Sequence, residues 1–146
     1  MNDLFKLFEN FDWDSYKEIS DSLMQFDEDA LDEEIRKFSS MYSYYNALLS
    51  KGKEILSEAE HKLSVSESTV RAEAKSASTT KLTAKDLDDL VIVSDLVQNR
   101  RKVVMSAQSK YDLLRGLVKA LEAKKDMLVQ ASSNRRAESK LYNTNQ

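Results

Sequence analysis

The sequence predicts an all-α fold, in which a long antiparallel helical hairpin with coiled-coil-like packing follows a short N-terminal helix and assembles as an oligomer. Three observations predict it. The 146 residues include no proline and two glycines, so the chain lacks the residues that break helices and build tight β-turns. Two long stretches repeat apolar residues at alternating gaps of three and four, as coiled-coil helices do. A small polar segment separates the two stretches.

Residues 1–29 form an acidic and aromatic N-terminal segment. A short helix is predicted there, with Asp14 or Ser15 as its N-cap. The aromatic residues Phe11 and Trp13 fit either a peptide element that docks on a partner or packing of the N-terminal helix against the hairpin. The apolar face of the helix recurs every three or four residues and consists of Tyr16, Ile19, Leu23 and Phe26.

The hairpin is predicted over residues 30–140, and its first helix runs from Ala30 to about Ser76. Acidic residues crowd its first turn, where the helix dipole favours negative charge. Tyrosines on its apolar stripe fit core packing, and base stacking by tyrosine is the alternative. The stripe keeps a heptad spacing and includes the predicted core and oligomer seam residues Tyr42, Tyr45, Leu49 and Leu56.

The loop of the hairpin is predicted at residues 76–83, which are small and polar. Thr83 followed by Asp86 resembles a capping box, so the second long helix is predicted to start at Ala84. Its stripe begins with Leu90 and Val93, contains the cations Arg100 and Lys125, and ends near residue 128. Residues 141–146 are predicted to be a polar tail. The seam residues of this helix are Val104, Tyr111, Leu114, Val118 and Leu121.

The apolar stripes are wider than a two-helix hairpin can bury. Each helix carries extra apolar residues beside its seam, and these need further partners. We expect other copies of the chain to supply most of them, so the sequence predicts a homo-oligomer. Gly116 fits either close approach of a neighbouring helix or a mildly destabilising position without a role.

The near-neutral total charge of −3 hides a strong asymmetry. Residues 1–37 carry a net charge of −8, residues 38–97 carry −2, and residues 98–146 carry +7. A basic region binds polyanions even in an acidic protein. Salt screens charges that lie more than a Debye length of ~8 Å away, so the nearby cations determine the potential that the polyanion meets. A solvated helix face, or a match to the acidic N-terminus of a neighbouring subunit, explains the basic region equally well.

Two basic groups are candidates for nucleic-acid binding. The first brackets the predicted loop and the second opens the basic region; Glu73 and Asp86 dilute the first. Small hydroxyl side chains beside the first group are suited to contact phosphate. The candidate residues are Arg71, Lys75, Lys81 and Lys85 in the first group, and Arg100, Arg101 and Lys102 in the second.

Nothing in the sequence indicates catalysis, so we expect a protein that is not an enzyme. His61 is the single histidine and there is no cysteine, which leaves no predicted metal site, cofactor or disulfide. Phosphate-binding glycine loops and nucleophile elbows are missing. Met1–Asn10 has no long apolar run, and no stretch is long enough to span a bilayer. The expected compartment is the cytoplasm, with no membrane partner.

Three features resemble the phage recombination mediators of the UvsY-like family. They are the aromatic run Met41–Tyr45, the polar loop followed by Leu82–Asp86, and the run Val93–Asp95 that leads into a long basic helix ending near Arg136. The resemblance covers roughly residues 38–140.

The resemblance implies a ring-like homo-oligomer that binds single-stranded DNA through its sugar-phosphate backbone. It also implies contacts with a RecA-type recombinase and a single-strand binding protein, which the mediator helps to exchange, in the cytoplasm of a host cell. The family's DNA-binding cations lie late in the first long helix and in the loop, where this chain has Arg71, Lys75 and Lys81. The alternative is a helical scaffold, assembly or adaptor protein that never binds DNA.

Overall fold

The computed structural model describes residues 3–25, 27 and 29–144, with side chains up to Tyr142. Within these residues all regular secondary structure is α-helical, which confirms the all-α part of the prediction. No helix in this part of the chain is long and apolar enough to cross a membrane. The helices are α1 (Asp3–Glu9), α2 (Trp13–Met24), α3 (Leu31–Ala77), α4 (Ala84–Val93) and α5 (Asp95–Thr144).

The N-terminal segment contains two helices where the sequence predicted one. The cap of α2 is Asp12, and the predicted Asp14 or Ser15 is wrong. Asp12 Oδ1 accepts hydrogen bonds from the Ser15 backbone N–H at 2.9 Å and the Ser15 hydroxyl at 2.8 Å. These bonds lower the pKa of Asp12 below its ordinary value. Phe26, the last residue of the predicted apolar face, lies outside the described residues.

The first long helix and the loop lie where the sequence placed them. α3 ends at Ala77, and Ser78 begins the turn by donating its hydroxyl to the Thr80 carbonyl at 2.7 Å. The predicted capping box is confirmed at the start of α4. Asp86 N–H donates to Thr83 Oγ1 at 3.2 Å, and the Asp86 carboxylate accepts from Thr83 N–H at 2.9 Å.

The second long helix is interrupted, which the sequence analysis missed. α4 ends at Val93, and Ser94 takes an extended backbone conformation with φ −66° and ψ 122°. α5 then begins at Asp95. The Gln98 side chain donates to the Ile92 carbonyl at 2.6 Å, so it satisfies a backbone group that the interruption frees. Beyond it α5 continues to Thr144 and so includes most of the predicted tail, whose last two residues lie outside the described part.

The chain divides into two compact units. Unit 1 comprises residues 1–50 and 112–146. Within it, α3 and α5 pack in an antiparallel sense, because Asp32 contacts Arg135 whereas Tyr42 contacts Glu122. The buried apolar side chains of unit 1 are Phe8, Phe11, Leu23, Leu31, Phe38, Leu48, Leu114, Leu117, Val118, Leu121 and Leu128.

Unit 2 comprises residues 51–111 and has a smaller buried set. Leu87 and Val91 are the buried residues of α4, whereas the predicted stripe residues Leu90 and Val93 are 41% and 71% exposed. The heptad pattern predicts an unbroken helix through Ser94, and the interruption there changes which face of α4 is buried. The buried apolar side chains of unit 2 are Leu56, Ala59, Leu87, Val91, Val97 and Ala107.

Candidate nucleic-acid interface

All seven candidate cations lie in unit 2, on α3, α4, α5 and the α3–α4 turn. Three of them are exposed lysines that bracket one turn of the chain. Lys75 lies in the last turn of α3, Lys81 lies in the turn and Lys85 lies in the first turn of α4. None of the three forms an ion pair with another described residue. Their ammonium groups are therefore available to solvent and to an anionic ligand.

The fourth cation of the first group is already paired. Arg71 Nη1 lies 2.8 Å from Asp88 Oδ1, across from α3 to α4. Both side chains are about half exposed, so the pair contributes little to stability. The pairing holds the guanidinium beside an acid, and a phosphate must compete with Asp88 to reach it.

The second group is divided among three environments. Arg101 Nη2 lies 3.0 Å from Glu67 Oε1, which links α5 to α3. Arg100 is half-buried, and its Nε is buried without a hydrogen-bond partner among the described residues. Lys102 is exposed. Only Lys102 therefore presents a charge as open as those of the turn lysines.

Acidic side chains balance much of the charge in this region. Residues 67–102 hold seven cationic and six acidic side chains. Two of the acids, Glu67 and Asp88, form the ion pairs with the candidate arginines. A third, Asp86, is committed to the capping box, where bonds from the Thr83 hydroxyl and backbone N–H lower its pKa. The open positive charge is concentrated at the turn.

The predicted seam residues fall in both units. Tyr42 stacks on Phe38 with ring centroids 5.6 Å apart and donates its hydroxyl to Glu122 at 3.1 Å. Burial, and to a smaller extent Tyr44, raises the pKa of Tyr45. These tyrosines are packed in unit 1, whereas the cations belong to unit 2. Among the predicted seam residues, Leu56, Leu114, Val118 and Leu121 are buried, and Tyr42, Tyr45, Leu49, Val104 and Tyr111 are half-buried.

The acidic N-terminal and basic C-terminal parts of the chain meet within unit 1. Glu34 Oε2 lies 2.8 Å from Lys124 Nζ, and Asp32 Oδ2 lies 3.5 Å from Arg135 Nη1. The charge pattern of the sequence also fits a match with the acidic part of a neighbouring subunit. The structure places two of these pairs within one chain, so they reduce the free charge on both segments.

Sequence reasoning missed the buried cation of unit 1. It placed Lys125 in the apolar stripe, but Lys125 is exposed and Lys124 is 3% exposed. Besides its pair with Glu34, Lys124 Nζ donates to the Gln25 carbonyl at 3.2 Å. Two adjacent lysines fit the heptad almost equally well, and the sequence holds no signal that distinguishes them.

The remaining candidate chemistry is limited. His61 lies exposed on α3. Within the described part of the chain, no three histidine, cysteine or acidic side chains are grouped closely enough to hold a metal ion. Comparisons with protein families, with characterised proteins and with solved structures found no match to this chain.

Proposed function

We propose that this protein is a non-enzymatic homo-oligomer that binds single-stranded DNA through the α3–α4 turn. The proposal includes the full antiparallel hairpin, with the turn at one end of it. The observation that carries the DNA contact is the set of exposed and unpaired lysines at the turn, Lys75, Lys81 and Lys85. Hydroxyl side chains of the same turn, at Thr79 and Thr80, supply neutral donors of the kind that contact phosphate.

The binding mechanism is electrostatic and multivalent. Three cations on one subunit neutralise few phosphates, so a single subunit binds weakly and in a salt-dependent way. Repetition of the turn in an oligomer makes each further contact intramolecular, which raises the avidity without any new type of contact. A strand held at several turns follows a path set by the oligomer.

The resemblance to UvsY-like mediators supports a specific use of that binding. A mediator of this kind presents the strand to a RecA-type recombinase and helps it to replace a single-strand binding protein. Contacts with both proteins, and residence in the cytoplasm of a host cell, belong to the proposal. No described residue is assigned to either protein contact.

Fluorescence anisotropy with a labelled single-stranded oligonucleotide tests the DNA contact. Changing Lys75, Lys81 and Lys85 together to alanine removes three phosphate contacts per subunit. Because each contact contributes ~0.7 to the slope of log K against log salt on single strands, the slope should fall by about 2 per bound subunit. Affinity at low salt should fall with it.

A matched variant controls for net charge. Lys17, Lys53 and Lys119 are exposed lysines outside the α3–α4 turn and the helical turns that flank it, and their joint change to alanine removes the same charge. This variant should keep the salt slope of the unchanged protein. Equal losses in the two variants, or binding that does not depend on salt, would contradict a site at the turn.

The second candidate function is a helical scaffold or adaptor that does not bind nucleic acid. The observation in its favour is the balance of seven cations by six acids over residues 67–102, with Arg71 and Arg101 already paired. This function predicts an unchanged oligonucleotide anisotropy at low salt, even at high protein concentration. A rise in anisotropy that depends on the turn lysines rules it out.

A further inference from the structure

An apolar groove lies between α3 and α5 in unit 1. Its volume is about 190 Å³, below the ~300–1,000 Å³ of typical small-molecule pockets, so it suits an anchoring side chain of a larger partner. Phe38 and Leu128 are buried in its floor, and Ile35 and Val129 are 39% and 58% exposed along its wall. These exposed and buried side chains together give the groove a mainly apolar lining.

Two cations border the groove. Lys125 and Arg136 are lining residues from α5, and both are exposed. Neither forms an ion pair with another described residue, in contrast to Lys124 and Arg135 beside them, which pair with Glu34 and Asp32. An apolar floor with free cations at its border favours an apolar anchor that carries acidic neighbours.

Unit 1 itself contains an exposed apolar residue with acidic neighbours. Trp13, the single tryptophan, is 61% exposed at the start of α2, and the acids Asp12 and Asp14 flank it. The indole ring stacks on Tyr16 with centroids 5.3 Å apart, so one face of it is already supported. Tryptophan is enriched among the residues that dominate protein interfaces. Tyr16 holds the Trp13 ring on one side, and most of the Trp13 side chain is exposed to solvent.

The Trp13 of a chain does not fill the groove of that chain. Tyr16, on which it stacks, packs against α5 at Gly116, where an added Cβ would lie 3.9 Å from the Tyr16 hydroxyl. Lys125 lies nine positions further along α5, which is about 14 Å at the rise of an α-helix. The acidic aromatic segment and the groove are therefore separate surfaces of one unit.

We infer that Trp13 of one copy, with Asp12 and Asp14, docks into the groove bordered by Lys125 and Arg136 of a second copy. The occupant is a second copy because the acids and the exposed indole of one surface match the free cations and the apolar lining of the other. The contact joins two different surfaces, so it is heterologous and it repeats from copy to copy until a ring closes. The inference rests on the homo-oligomer of the proposed function and assigns its interface.

Trp13 fluorescence in DNA-free buffer reports the contact directly. As protein concentration rises, the emission maximum should move to shorter wavelength, because docking removes the indole from water. Lys125→Glu with Arg136→Glu should weaken self-association by more than about tenfold, the scale of a lost interface hot spot, and abolish that shift. Lys53→Glu with Lys119→Glu makes the same charge change at exposed lysines away from the groove lining, and should retain both.

Mixing two defective variants gives the sharpest result. Trp13→Ala keeps the groove, and the Lys125→Glu, Arg136→Glu variant keeps the only tryptophan. Each should be monomeric alone in analytical ultracentrifugation, and the mixture should form a one-to-one dimer with blue-shifted emission. If circular dichroism shows that the charge variant is unfolded, Val129→Asp replaces it, since that exposed side chain borders the same groove.

The outcomes that overturn the inference are equally defined. They are Trp13 emission that does not change with concentration, assembly of the groove variant like the unchanged protein, or a mixture that remains monomeric. None of these measurements involves DNA. If these measurements fail while DNA binding is intact, only the Trp13–groove contact is refuted. If the turn-lysine variant shows that DNA binding fails, the Trp13–groove contact is unaffected.

Discussion

The pair between Lys124 and Glu34 makes an asymmetric prediction about stability. Lys124 is 3% exposed, whereas the Glu34 side chain is 24% exposed. In Lys124→Met the carboxylate of Glu34 turns to water, so we expect a loss of about 1.5–3 kcal/mol, the scale of hydrogen bonds to a charged group. In Glu34→Ala the buried ammonium keeps only the Gln25 carbonyl, so we expect a loss of about 3–5 kcal/mol, the cost of leaving a buried charge without its partner.

Urea unfolding followed by circular dichroism measures both values, at one protein concentration because assembly contributes to apparent stability. The double variant Lys124→Met, Glu34→Ala should be more stable than Glu34→Ala alone, since it removes the stranded charge. Lys37→Met breaks the exposed pair with Glu33 and should leave the unfolding midpoint unchanged. An equal or smaller loss in Glu34→Ala than in Lys124→Met would refute the reasoning from burial.

Three further predictions concern single positions on α5 and at the start of α4. Gly116→Ala should stabilise the protein by about 0.5–1 kcal/mol in the same urea assay, because its Cβ would meet the Tyr16 ring atoms at ordinary contact distances of 3.9 and 4.0 Å; a destabilised variant would contradict this. Thr83→Ala should cost about 1 kcal/mol as a lost N-cap. The pKa of Asp86 is lowered in the folded state. Its ionised carboxylate therefore stabilises the folded state at pH values above the ordinary Asp pKa of 3.8. The stability difference between the unchanged protein and Asp86→Ala should be full at neutral pH and should shrink as the pH falls through the folded-state pKa, and a constant difference would contradict the capping role.

Local chemistry made α3, its turn and the capping box predictable. A sustained heptad fixes a long helix, and hydroxyl residues followed by Thr83 and Asp86 mark a turn and a new helix start within a few residues of each other. Each of these signals acts between neighbours in sequence. The structure places the end of α3 and the start of α4 accordingly.

The interruption at Ser94 was missed because no glycine or proline marks it. A signal does exist, since β-branched residues from Val91 to Val93 precede a Ser-Asp pair of the kind that begins helices. The bond from Gln98 to the Ile92 carbonyl makes the interruption tolerable, and it spans six positions. Such a bond is not visible in the periodicity of apolar residues.

The partners of the charged residues were the least predictable part of the candidate site. Composition identified Arg71 and Arg101 as cations, but their pairing with Asp88 and Glu67 depends on which helices meet in unit 2. The choice of Lys124 over Lys125 as the buried cation likewise depends on Glu34 and the Gln25 carbonyl. Contacts between residues distant in sequence decide these positions.

The turn after α3 has a practical consequence for spectroscopy. Its shape depends on the hydroxyls of Ser78 and Thr80, and no described residue has the positive φ that would demand glycine. Thr79 between them is exposed, and the natural chain contains no cysteine. Thr79→Cys would therefore carry the sole thiol of the molecule, where a single spin label or dye reports on the lysines around it.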